Sequence, residues 1–284
     1  MTTMMIQPST PSTPSTPSAP PANVRVTQLR VLRSEWTKLR SLPSTAWSLL
    51  SALVMIVAFG AGYSTIRVTR PPRGPAHVAA FDPAAVSLSG VQLAVLAIGV
   101  LGVLLMTGEY ATGMVRTSFA AVPARLPVLW GKAVAFALTT LALCAPAALV
   151  AFFLGQSILS REHLDITFDH PGVARAVIGS ALYLTVVGLL GLALGALFRN
   201  TAGGISALFG VLFGLPIIVG FLPETLVDAI GKYLPTAAGS AVTAVRPDSD
   251  SLAPWTGFGL FCLYTAVALG LAAWQLCHRD TGQH

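Results

Sequence analysis

The stretch with the densest polar chemistry between apolar runs is Gly108-Glu109-Tyr110-Ala111-Thr112-Gly113-Met114-Val115-Arg116-Thr117-Ser118-Phe119-Ala120-Ala121-Val122-Pro123-Ala124-Arg125, followed by Leu126 to Lys132. Its carboxylate and its three cations (Arg116, Arg125 and Lys132) can make ionic contacts. Glu109 reads as a boundary carboxylate paired with Arg116 or Lys132, or as an ionic contact that governs the short helix after it. Tyr110 has the amphipathic ring that anchors a helix at a membrane–water interface. Thr112 can cap a short helix by accepting a free backbone N–H. Met114, Val115, Phe119 and Val122 then recur at near-helical spacing on one side, with Arg116 and Ser118 elsewhere. Pro123 ends that helix, and Pro127 suits the first turn of the next, where its missing N–H costs nothing. The stretch reads either as an ordinary connection or as a short, rigid amphipathic helix hung between two membrane spans.

Catalytic and nucleotide-binding patterns are missing. The chain holds no Gly-x-x-x-x-Gly-Lys-Ser/Thr, no His-Glu-x-x-His and no Gly-x-Ser-x-Gly. Gly131-Lys132-Ala133 and Gly231-Lys232-Tyr233 lack both the upstream glycine and the hydroxyl of a P-loop. His163, Asp165, Asp169 and His170 cluster at a spacing that fits no common metal motif and read as a solvated acidic loop. Cys144, Cys262 and Cys277 sit in apolar runs without metal-ligand spacing. The expectation is a chain that is not an enzyme, with no disulfide, metal or cofactor of its own.

The elements that position the polar stretch follow from composition. Hydrophobic residues make up 54% of the 284 and charged residues only 10%, against about 25% charged in an average soluble domain. Six uncharged runs carry that excess: Ala46–Ile66, Leu88–Thr107, Ala133–Leu154, Val177–Phe198, Ala202–Leu222 and Trp255–Cys277. A helix needs about 20 such residues to cross a bilayer core, so the fold class expected is an all-α integral membrane protein with six transmembrane helices. Pro146 and Pro216 lie inside spans and are expected to kink them. Gly191-x-x-x-Gly195 and Gly210-x-x-x-Gly214 are expected to let helices approach closely, with a dimer face as one use.

Residues 1–23 repeat Pro-Ser-Thr and cannot bury enough apolar surface to fold, so a disordered tail is expected ahead of a membrane domain over 24–280. In residues 24–40, Leu29, Leu32, Trp36 and Leu39 recur at helical spacing among Arg25, Arg30, Arg33, Lys38 and Arg40. This predicts an N-terminal amphipathic helix in the interface, with Arg33 and Arg40 beside its apolar face. Between the last two spans, Leu226, Val227, Ile230 and Leu234 recur at helical spacing, and 235–242 is small and apolar. A short helical hairpin dipping into the outer leaflet is expected there. The net charge of +6 lies on the flanks of the spans, which favours a topological role over nucleic-acid binding. With the N-terminus inside, ten Lys and Arg fall on inner segments and seven on outer ones, while acidic residues divide three to eight. Both termini and 108–132 are then expected on the cytoplasmic side.

With these elements placed, a family resemblance emerges. Arg33-Ser34-Glu35-Trp36-Thr37-Lys38-Leu39-Arg40, ahead of the first span, resembles the start of bacterial ATP-binding-cassette (ABC) type-2 permeases. Gly108-Glu109-Tyr110-x-x-Gly113-Met114-x-Arg116 with Pro123-x-Arg125 resembles that family's segment between its second and third spans. Leu234-Pro235-Thr236-Ala237-Ala238-Gly239-Ser240-Ala241 resembles its outer segment before the last span. The resemblance covers residues 25 to 280. It implies a six-span exporter permease in the bacterial plasma membrane, paired with a second permease, identical or related, and with two ABC ATPase subunits that bind ATP and Mg. It implies that Glu109, Tyr110, Thr112, Gly113, Met114, Arg116, Phe119 and Arg125 belong to a coupling helix seated on the ATPase. It also implies that Arg33, Glu35, Trp36, Lys38 and Arg40 belong to an interfacial connecting helix. Membrane lipid is the other implied partner, and nucleic acid is not one. A membrane scaffold or sensor subunit with no transport cycle is the alternative.

None of the six runs contains Asp, Glu, Lys, Arg or His. Ion-coupled transporters usually place such groups within the membrane. Any uphill transport here is therefore expected to draw its energy from a partner, and the uncharged runs suit a hydrophobic or amphipathic substrate.

Overall fold

The structure is a computed structural model that describes residues 43–72, 74, 81–111, 125–246 and 251–278. The described residues form helices and connections and contain no strand. Six helices are long and apolar enough to cross a membrane. In chain order, α1 runs Pro43–Val54, widens into a π turn at Met55–Phe59 and continues Gly60–Thr69. Then come the short α2 (Pro83–Ser87), α3 (Gly90–Ala111), α4 (Arg125–Leu159) and α5 (Val173–Phe198). Helix α6 runs Thr201–Phe209, takes a second π turn at Gly210–Gly214 and resumes over Leu215–Gly220. The short α7 (Glu224–Ile230) and α8 (Pro235–Ser240) precede α9 (Pro254–His278). In the segment where a helical hairpin is expected, before the last long helix, stand the two short helices α7 and α8, joined by a 3-10 turn at Gly231–Tyr233.

Helix α5 is the centre of the bundle. Most of its residues are buried, including Leu184, Val187, Leu192 and Ala193. Glycines bring α3 against it. A Cβ on Gly102 would strike the Gly188 carbonyl, one on Gly191 would strike the Gly99 carbonyl, and one on Gly195 would lie 2.8 Å from Val103 O. In a membrane, where lipid is as apolar as leucine, such close packing holds helices together. Gly191-x-x-x-Gly195 therefore serves contact within the chain. Phe136 of α4 fills the groove over Gly188. The outward faces stay apolar: Trp47 is 71% exposed, Ile218 63% and Phe221 87%. Such a surface fits a lipid-facing bundle.

The helix ends sort into two groups. At one end, the finish of α3 meets the α5–α6 turn and the finish of α9. At the other, α2 and the α4–α5 loop meet the α8–α9 segment. Asp82 caps α2, its Oδ1 accepting from Ala84 N (2.9 Å) and Ala85 N (3.0 Å). Gln156, buried near the end of α4, spans three segments. Its Nε2 donates to Pro83 O (3.1 Å) and Ser87 Oγ (2.9 Å), and its Oε1 accepts from Ile166 N (2.8 Å). A buried amide left unpaired would be costly, and here both of its ends are satisfied. Arg175 Nη2 donates to Ala244 O (2.8 Å) and Val245 O (3.3 Å) at the same end.

Pro146 lies inside α4, which continues unbroken to Leu159. Pro216 follows the α6 π turn directly. Lacking an N–H, it leaves the carbonyl of Leu212, four residues earlier, without its helical donor. Thr236 of α8 supplies one, its Oγ1 donating to Leu212 O at 2.7 Å.

Candidate functional site

The site expected from the sequence hangs between α3 and α4. Thr112, Gly113, Met114, Arg116 and Phe119 lie outside the described residues, as do Arg33, Glu35, Trp36, Lys38 and Arg40 of the expected interfacial helix. Glu109 falls in the last turn of α3, and Arg125 opens α4. Helix α4 thus starts eight residues before the expected Ala133 and takes in Leu126–Lys132. Pro127 is in its first turn, as its missing N–H allows. Lys132 is only 4% exposed, so its stem packs inside the bundle rather than marking a solvent boundary.

The structure describes the helix ends that flank this segment in the sequence. Val103 O accepts from Thr107 Oγ1 (3.1 Å) within α3, and Thr107 Oγ1 in turn accepts from Thr201 Oγ1 (2.9 Å). Thr201 is the first residue of α6, which Asn200 caps through Oδ1 accepting from Gly203 N (3.2 Å). One turn beyond Thr107, the guanidinium carbon of Arg199 stands 5.9 Å from the centre of the Tyr110 ring. A cation at that distance from an aromatic face is attracted by the ring's quadrupole.

Arg199 holds the left-handed conformation, with φ 52°. That is uncommon for a side chain with a Cβ. It ends α5, its N–H returning to Gly195 O at 3.0 Å. The same turn carries its side chain to α9, where Nη2 donates to Gln275 O at 3.5 Å. Its Nε is buried without a hydrogen-bond partner. One arginine thus touches the last turn of α3, closes α5 and reaches α9.

Of the sequence-predicted residues, Tyr110 is the one whose side chain is described, and it is tied into the bundle. Thr107, Arg199, Thr201 and Gln275 belong to the same cluster, though the sequence motif does not include them. A signal exists for Arg199: a lone cation directly after an uncharged run, followed by the helix-capping pair Asn200-Thr201. Nothing local pairs it with Tyr110, 89 positions earlier. The arrangement ties the ends of α3, α5, α6 and α9 together through one cation–ring contact and hydrogen bonds. Comparison with protein-family models and with curated proteins finds no match.

Proposed function

We propose that this chain is the permease subunit of an ATP-binding-cassette exporter in a bacterial plasma membrane. Residues 112–124 form the lever that a separate ATPase moves. The observation that carries this reading is the Arg199 joint, together with the Thr107–Thr201 hydrogen bond. A push on the connection after Ala111 reaches α5, α6 and α9 through packed side chains without passing through lipid. Bistable helix bundles respond to such displacements by switching arrangement. Two ATPase subunits and a second permease complete the proposed assembly, and both termini face the cytoplasm.

The substrate in this reading is hydrophobic or amphipathic. The apolar runs offer no cation to hold a strongly anionic molecule at mid-membrane, and desolvating an unpaired charge is expensive. Such a substrate enters sideways from the inner leaflet, with any charged part kept near Arg116, Arg125 and Lys132.

The test is reconstitution with the ATPase that co-purifies. Val115→Pro, placed in the expected lever, should abolish transport while insertion persists, since proline in a helix interior costs about 3 kcal/mol. Arg199→Ala should uncouple ATP hydrolysis from transport. Transport unchanged in both variants would remove the lever. Stimulation of the ATPase by small hydrophilic anions but not by amphipathic compounds would remove the substrate class. Single cysteines at Ser118 and Asp248 should label from opposite sides, and same-side labelling would reverse the orientation.

A further inference from the structure

The end of α1 opposite its start at Pro43 gathers positive charge without a counter-charge. Between Tyr63 and Asp82 the sequence holds Arg67, Arg70 and Arg73 and no Asp or Glu. The spanning part of α1, Thr45–Thr69, has 25 residues, against about 20 needed to cross the hydrocarbon core. Its last turns therefore reach the level of the lipid head groups. Phe59, Tyr63, Ile66 and Arg70 recur there along one stripe of the helix. Phe59 is 50% exposed and Ile66 53%, so the stripe looks away from the bundle. Gly62, next to it, is exposed and has nothing within 4 Å of its would-be Cβ.

Arg67 sits beside that stripe and is held in one place. Its guanidinium carbon stands 4.9 Å from the centre of the Tyr63 ring, and Nη2 donates to the Tyr63 hydroxyl. Side chains on a helix lean toward its N-terminus, which here draws the guanidinium back along α1 toward the bilayer core. Its Nε is buried without a hydrogen-bond partner. Its Nη1 also has no partner, but keeps accessible surface. Arg70 is exposed one turn further on, and its side chain makes no hydrogen bond. Among the described residues, neither arginine has a carboxylate at ion-pair distance. A partly desolvated cation without a counter-charge is costly. The planar fork of a guanidinium matches the paired oxygens of a phosphate.

We propose that the end of α1 binds an anionic phospholipid. The phosphate lies between Arg67 and Arg70, and an acyl chain runs along the stripe over Gly62, Ile66 and Phe59. An ethanolamine lipid offers the same phosphate, but its ammonium meets two arginines and no carboxylate. A free phosphate lacks the chain that the stripe receives. A lipid whose only charge is its phosphate, as in phosphatidylglycerol, fits both parts of the site. The site depends neither on the chain being a transporter nor on its orientation in the membrane.

The experiment uses the full chain in dodecyl maltoside, with binding followed by native mass spectrometry. The probes are dioleoyl phosphatidylglycerol and dioleoyl phosphatidylethanolamine, with glycerol phosphate as competitor. Phosphatidylglycerol should bind about tenfold more tightly than phosphatidylethanolamine, the scale set by two arginines near a membrane surface. Excess glycerol phosphate should leave that binding unchanged. Arg67→Gln and Arg70→Gln should each reduce the preference about threefold and together erase it. Arg70 is exposed, so its variant is the independent arm if Arg67→Gln fails to fold. Arg161→Gln removes an exposed cation just past α4, at the same end of the bundle, and should leave the preference intact. Equal binding of the two lipids, or displacement by glycerol phosphate, overturns the proposal. So does an unchanged preference in Arg70→Gln, or a loss in Arg161→Gln as large as in the α1 variants.

Discussion

Helices α1 and α6 each widen into one π turn, at Met55–Phe59 and at Gly210–Gly214, and the two turns are held by different means. In α1 the irregular backbone is pressed by another helix. Gly90, the first residue of α3, lies against the carbonyls of Met55 and Ile56 so closely that a Cβ there would overlap them. Ile56 is fully buried, and Gly60, just past the turn, meets the Ser87 carbonyl. In α6 Leu212 is buried too, but Gly210 faces outward. Gly210 has nothing within 4 Å of its would-be Cβ, and Gly214 has only the carbonyl of Phe209, 3.9 Å away in its own helix. The α6 turn is set by Pro216 and is tied to the rest of the chain by the Thr236 hydroxyl on Leu212 O. The same irregularity is thus packed at its glycines against another helix in α1 and open at its glycines, beside a proline, in α6. A π turn commonly marks a functional position, and of the two it is the α6 turn whose glycines have open space beside them.

The largest effect should come from filling the packed turn. Gly90→Leu places a side chain against two backbone carbonyls, which cannot rotate out of the way as a side chain does. Overpacking of this kind costs about 3 kcal/mol or more when the backbone must shift. The expected outcome is a sharp drop in the unfolding midpoint in mixed micelles and in the yield of monodisperse protein. A variant that purifies and melts like wild type would mean that α1 and α3 are not seated as described.

A smaller and more diagnostic effect is expected at the α6 turn. Thr236→Val removes the donor to Leu212 O and should cost about 1 kcal/mol, the scale of interhelical hydrogen bonds measured in membranes. Pro216→Ala returns a backbone N–H to the helix and so supplies Leu212 O with its own donor. The valine substitution should therefore cost less than half as much in the Pro216→Ala background, a coupling that a double-mutant cycle isolates. Additive costs would show that Thr236 serves something other than the carbonyl freed by the proline.

The difference between the turns also explains what the sequence could and could not reveal. Six long apolar runs are legible because helices that face lipid have no polar stripe to disguise them, and they match α1, α3, α4, α5, α6 and α9. Boundaries are less legible. Lys132 looks like the edge of a span, yet it is buried two turns into α4, whose start at Arg125 exploits the tolerance for Pro127. Gly191-x-x-x-Gly195 and Gly210-x-x-x-Gly214 are the same pattern with opposite outcomes, because spacing says that a helix face is small without saying what lies opposite it. Pro216 signals a bend, but its partner Thr236 comes from another helix 20 positions later. The joint around Arg199 is hidden for the same reason. Its contacts reach Tyr110 and Gln275, and no local rule connects residues so far apart.

The smallest effect separates the two turns most directly. Gly210→Leu is the chemical equivalent of Gly90→Leu, a leucine replacing glycine beside a π turn in an apolar helix. It adds its side chain to open space at the exposed edge of α6. Two small terms oppose each other there. Leucine gains up to about 1 kcal/mol over glycine in helical backbone, while the wider turn limits how much of that gain is realised. The net change should stay within about 0.5 kcal/mol, the range of surface substitutions away from special features. The unfolding midpoint of the single chain should therefore stay at the wild-type value while the Gly90→Leu midpoint falls. A loss at Gly210 comparable to that at Gly90 would mean that the α6 turn is covered by a surface that the chain alone does not contain, and the contrast between a packed and an open turn would fail.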